Sequence, residues 1–178
     1  MSAIPGDAAR ALLRHMLATL AYRGGKAIRE APAGFGDFRP EGCLNTPVLL
    51  LAHIGDLIEW AHQWCYSGQS NFQVSEPREW NGEVTRFHQA LAAFDASLAS
   101  ERPVLVTMEN LFQAPIADAL THIGQLALLR RLAGDPVPGE RYRLAEIVPG
   151  RVGPEQAKPG HEFERDEGAI WRPRLPSR

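Results

Sequence analysis

The sequence predicts an all-α protein: a four-helix bundle in one domain, 1–178, with the bundle over about residues 7–134 and an irregular tail over 135–178 packed on it. Three observations carry this. Apolar residues recur every three or four positions through four long stretches, the period of a helix that buries one face. Clusters of Gly, Pro and Asn, which break helices and make turns, separate those stretches. Beyond the fourth stretch, Pro136, Pro138, Pro149, Pro154 and Pro159 exclude another long helix.

The first helix is expected from Asp7 to Glu30, with Asp7 as its cap after Pro5-Gly6. Leu12, Leu13, Met16, Leu17 and Leu20 form its apolar stripe, and Gly24-Gly25 is expected to bend or stop it. Residues 31–45, rich in Gly and Pro, read as a loop. The second helix follows Asn45 and Thr46, with Pro47 suited to its first turn, and runs through Leu49, Leu50, His53, Leu57, Trp60 and Trp64 to the stop at Gly68–Asn71. The third runs from Glu79 to Ser100 on a seam of Val84, Phe87, Leu91, Phe94 and Leu98, closed by Arg102-Pro103. Val104–Met108 fits a short strand or an extended link. The fourth helix is expected from near Pro115 to Gly134, with Arg130 and Arg131 in the last turn, where cations suit the helix dipole. A single turn is expected at Arg141–Ile147.

Composition narrows the function. The chain is 44% hydrophobic and 22% charged, with a net charge of -2. It lacks the basic footprint that nucleic-acid binding requires. No apolar run approaches the roughly 20 residues of a membrane span. The apolar stretch Ala11–Ala21 is broken by Arg14 and His15 and follows no basic segment, so it does not read as a signal peptide. Cys43 and Cys65 form no CxxC pair and read as reduced thiols, which points to the cytoplasm.

The informative residues are polar ones on apolar faces. His53 lies in line with Leu49, Leu57 and Trp60 and is expected to point at the core. Asp118 and His122, four residues apart, project about 40° from one another on the fourth helix, and Gln125 and Leu129 extend that stripe. An ionised Asp inside a bundle is costly unless paired or bound to a cation. A divalent metal held by His53, Asp118 and His122 would remove that cost and leave open positions for water or substrate. The same spacing also fits an ordinary Asp–His ion pair and a core imidazole satisfied by a hydrogen bond. Gln125 suits a contact with a metal-bound water, with a cofactor or with a ligand residue, or a capped polar site inside the bundle.

Other polar residues read as structural. His62, half a turn round from His53, is expected to face solvent, and Thr121 points away from His122. His88 and Asp95 flank the third helix's seam, and His15 borders the first helix's stripe. His161, in the tail, is a conceivable fourth ligand. Trp60, Trp64, Trp80 and Trp171 suit a pocket wall, a core or a homodimer face. Arg23, Arg130 and Arg131 suit an acidic thiol cofactor or plain solvation.

The segments Leu51-Ala-His-Ile-Gly-Asp-Leu57 and Ala117-Asp-Ala-Leu-Thr-His-Ile-Gly-Gln125 resemble the DinB-like superfamily, which includes damage-inducible proteins and thiol-dependent S-transferases of the bacillithiol and mycothiol type. The resemblance spans Asp7 to Gly134, and Ala145-Glu-Ile-Val-Pro-Gly-Arg-Val-Gly153 is similar to one subgroup. It implies an up-down-down-up four-helix bundle with a metal held by three His, one on the second helix and two on the fourth. His53 and His122 match two of those positions. Asp118 stands at the third, which gives two imidazoles and a carboxylate and favours Fe, Mn or Ni, with Zn still open. The implied activity is metal-dependent thiol transfer or hydrolysis of a small-molecule substrate, with a low-molecular-weight thiol as co-substrate. The alternative is a non-catalytic, stress-associated bundle that binds a small ligand or a protein.

Overall fold

The computed structural model describes residues 6–163. It is mostly helical: α1 is Gly6–Ile28, α2 Pro47–Ser67, α3 Trp80–Ala99, α4 Met108–Leu111 and α5 Ala117–Leu132. A two-residue antiparallel ladder joins β1 (Gly139–Glu140) to β2 (Glu162–Phe163), with Glu140 opposite Glu162. Tyr142–Leu144 forms the expected tail turn. Among the described residues no helix is long and apolar enough to cross a membrane.

The ends of α2 follow from local chemistry. Thr46 is extended, Pro47 occupies the first turn, and Gly68 closes the helix at φ 71°, its N–H donating to the Trp64 carbonyl at 2.9 Å. Helix α1 does not stop at Gly24-Gly25. A Cβ on Gly24 would lie 2.6 Å from Cζ of Phe87, so the glycine is the point where α3's aromatic ring meets α1's backbone.

The fourth helical stretch departs from expectation. It begins at Met108, with Thr107 as its cap accepting from the Asn110 N–H, and Val104–Met108 forms no strand. Pro115 does not start the helix. It lies inside a π-helical turn, Phe112–Ile116, between α4 and α5. The wider turn accommodates a residue that has no N–H to donate.

Helix α2 packs against α3 and α5, and α1 packs against the same two. Leu13, Leu17 and Leu20 of α1, Ile54 and Leu57 of α2, Phe87, Leu91 and Phe94 of α3, and Ile123 and Leu126 of α5 fill one continuous core, which Val152 of the tail joins. Leu12 and Leu49, assigned to the stripes by spacing, are instead exposed, at 48% and 37%. Spacing locates a face only to within a turn's width, and these two stand at its edges.

Buried charges hold the periphery. Tyr22 donates to Glu140 at 2.6 Å, and Lys26 donates to Glu140 at 2.8 Å and to Glu162 at 2.6 Å, tying the tail to α1. Burial works to lower the Lys26 pKa, but the two carboxylates outweigh it and raise it. Arg86, 5% exposed, donates to Asp56 at 2.5 Å, to Glu59 at 2.7 Å and to Ser75 at 2.8 Å. Ser75 donates to Asp56 at 2.7 Å, so the α2–α3 connector, residues 68–79, is fastened onto α2.

Candidate metal centre

His53 stands in the second turn of α2. Asp118 and His122 stand one above the other in the first turns of α5, which packs against α2. Nε2 of His53 lies 3.6 Å from Oδ2 of Asp118, and Nε2 of His122 lies 3.3 Å from Oδ1 of the same carboxylate. The two imidazoles meet edge to face, with centroids 4.8 Å apart. One ligand atom from each of the three residues lies within 4.8 Å of the other two, a grouping that could hold a metal ion.

Gln125 gives the site its polarity. Its Oε1 lies 3.0 Å from Nδ1 of His122, so that the ring donates to the amide and Nε2 is left with its lone pair directed at Asp118. A lone pair and a carboxylate oxygen do not attract each other. The geometry is complementary to positive charge between them, a proton or a cation.

The expected interior position is corrected. The side chains of His53, Asp118 and His122 are 34%, 47% and 17% exposed, so the group lies at the open edge of the α2–α5 packing rather than in the core. At that exposure Asp118 stays solvated and needs no cation to offset burial. What marks the site is the convergence of donor atoms. Gln125 is likewise exposed and not a capped polar residue within the core.

No protein-family model matches this chain, and neither does any curated protein or solved structure.

Most of the remaining polar candidates have partners of their own. His88 is buried, with Nδ1 3.2 Å from the Val152 carbonyl. Burial lowers its pKa, and the carbonyl offsets part of that. Asp95 is buried and accepts from Arg14 through both oxygens at 2.9 Å. His62 does not face solvent as expected. It stacks on Phe94, contacts Ser97 Oγ at 2.8 Å and has its pKa lowered by burial and then by Arg102. The close α2–α3 packing reaches further round α2 than the apolar stripe suggested.

His15 and His161 are exposed, and neither belongs to the group of three. Arg130 is buried and spent on the carbonyls of Ala27 and Arg29 and on Asp135, and Arg23 lies over the Tyr142 ring. Burial pushes the Cys65 thiol up to about 11, which leaves it inert. Trp171 lies outside the described residues.

Sequence reasoning missed the π turn that ends two residues before Asp118. One such turn rotates the faces of the helix that follows by roughly a quarter revolution about its axis. The signal was present: a Thr-capped helix beginning at Met108 with a proline seven residues in. The aromatic residue Phe72, whose ring lies 5.8 Å from that of His53, was missed as well, because loop residues carry no periodicity.

Proposed function

We propose that this chain is a cytoplasmic metal-dependent protein of the DinB-like type. In this reading its long helices run up-down-down-up as a four-helix bundle, and His53, Asp118 and His122 hold one divalent cation: Ni, Zn, Fe or Mn. The observation that carries the reading is the facing of two imidazole Nε2 atoms onto one carboxylate at 3.3 and 3.6 Å, with Gln125 holding His122 in the tautomer that ligates.

A bound divalent cation supplies Lewis acidity that makes a coordinated water or thiol nucleophilic near neutral pH. The residues of the chain set the rest. His53 and His122 offer neutral nitrogen from two different helices, and Asp118 supplies one balancing negative charge. A small electrophile and a low-molecular-weight thiol would reach the metal from the half-open side. The reaction class is thiol S-transfer or hydrolysis.

A second reading, a non-catalytic bundle that binds a small ligand or a protein under stress, is favoured by one observation. Among the described residues no further His, Cys or carboxylate joins the three.

Metal analysis separates the readings. Protein purified without chelators is expected to carry close to one equivalent of a divalent metal by mass spectrometry, or to take up Ni, Mn or Zn on titration. His122→Ala is expected to lose that uptake. A protein that binds none of the three metals, or a His122→Ala variant with full occupancy, overturns the assignment. Full occupancy without turnover of any thiol or hydrolytic substrate supports the second reading.

A further inference from the structure

Two groups of aromatic residues in this chain differ in their setting. Tyr22, Phe35, Phe87 and Phe94 are at most 2% exposed and belong to the interior. Phe72, Trp60 and Trp64 are only half-buried, and they gather beside the metal centre. The Phe72 ring stands edge-on to His53 at 5.8 Å and edge-on to Trp60 at 5.4 Å. Trp60 lies flat on Trp64 at 5.2 Å, with the planes 6° apart. With the His53–His122 pair, this is an unbroken row of five rings that starts at two proposed ligands and runs along α2.

The row is built rather than incidental. Trp60 and Trp64 are four residues apart on α2, which sets one indole over the other. Phe72 belongs to the connector that Asp56, Arg86 and Ser75 fasten onto α2, so its place between His53 and Trp60 is fixed by that network. The indole N–H of Trp60 is shielded from solvent and has no acceptor. A buried donor without a partner is uncommon.

We propose that Phe72, Trp60 and Trp64 form the specificity wall of the metal centre, and that the substrate class is a small molecule joining a metal-binding donor atom to a flat unsaturated ring. This rests on the metal reading above. The donor atom takes an open coordination position beside His53, and the ring lies along the wall, where edge-to-face and stacked contacts add to plain burial. A purely polar or short aliphatic molecule gains nothing from the wall.

The test uses the full chain loaded with Ni, and two probes with the same chelating head: acetohydroxamate and benzohydroxamate. Isothermal titration is expected to show benzohydroxamate binding about tenfold tighter, the contribution of one ring packed on an aromatic surface. In Trp60→Leu, which keeps an apolar side chain at the position, the preference is expected to fall below about threefold while Ni affinity is unchanged. Equal affinities in the wild type, or a preference that survives in both Trp60→Leu and Phe72→Leu, overturn the wall. Failure of Ni to bind at all is a different result: it removes the metal reading, and this inference falls with it.

Discussion

Two polar clusters start one turn apart on α2 and obey opposite rules. Asp56 meets a guanidinium: Arg86 closes on it at 2.5 Å, takes Glu59 at 2.7 Å and lies with Asp56 almost wholly out of solvent. His53 meets a carboxylate that already faces a second imidazole, in a half-open setting, with donor atoms turned toward one another. In the first cluster a buried guanidinium of the protein's own holds the carboxylates. In the second, no Lys or Arg among the described residues pairs with the carboxylate, and only two imidazoles face it. Carboxylates held by a buried guanidinium fix a fold; a half-open carboxylate facing two imidazoles invites a ligand.

Breaking the guanidinium cluster has the largest expected effect. Arg86→Met leaves Asp56 and Glu83, 4% and 0% exposed, without their cation. Stability is expected to fall by about 3–5 kcal/mol in urea unfolding, the usual cost of stranding a buried charge. A loss under about 1 kcal/mol would show that the cluster does not fasten the connector to α2.

Gln125→Ala sharpens the other side. It releases the His122 ring without touching the core, and metal affinity is expected to drop by about tenfold, at the low end of what such supporting hydrogen bonds contribute. Calorimetric titration with Ni checks this, and thermal unfolding of the metal-free protein is expected to be unchanged.

Protonation offers a smaller lever. His62 and His88 have pKa values lowered by burial, so the unfolded chain binds their protons more readily than the folded one. Their contribution is therefore fully present above about pH 6.5 and is lost as pH falls below it. Denaturant midpoints are expected to decline between pH 7 and 5, and less steeply in His88→Gln. An identical decline in that variant would remove His88 from the account.

The smallest expected effect is the stability change in Asp118→Asn. With a side chain 47% exposed, it is expected to move metal-free stability by no more than about 0.5 kcal/mol. The same substitution is expected to abolish metal uptake, the reverse of the Arg86 result.

The helices were legible because each buries one stripe, and a stripe repeats. Pro47 and Gly68 marked the ends of α2 through backbone restrictions that act locally. The pairing of His53 with Asp118 and His122 was legible as three polar residues on apolar stripes and through the resemblance to the DinB-like superfamily. Their depth was not, because it depends on how far α2 and α5 splay, and periodicity carries no such distance. Arg86 illustrates a second limit. A charged residue on the third helix reads as solvated until tertiary packing brings Asp56 and Ser75 to it. Gly24 shows a third: its helix-weakening propensity was legible, while the reason for it, Phe87 against its Cα, lies in another helix.

X-ray absorption at the metal edge, on full-length protein carrying one equivalent of Zn, reads the ligand set itself. Two imidazole nitrogens are expected at about 2.0–2.1 Å with their outer-ring scattering, together with oxygen from the carboxylate. One imidazole is expected to vanish in His53→Ala. A shell of oxygen alone, a sulfur ligand from Cys43, or a spectrum unchanged in His53→Ala would contradict that set.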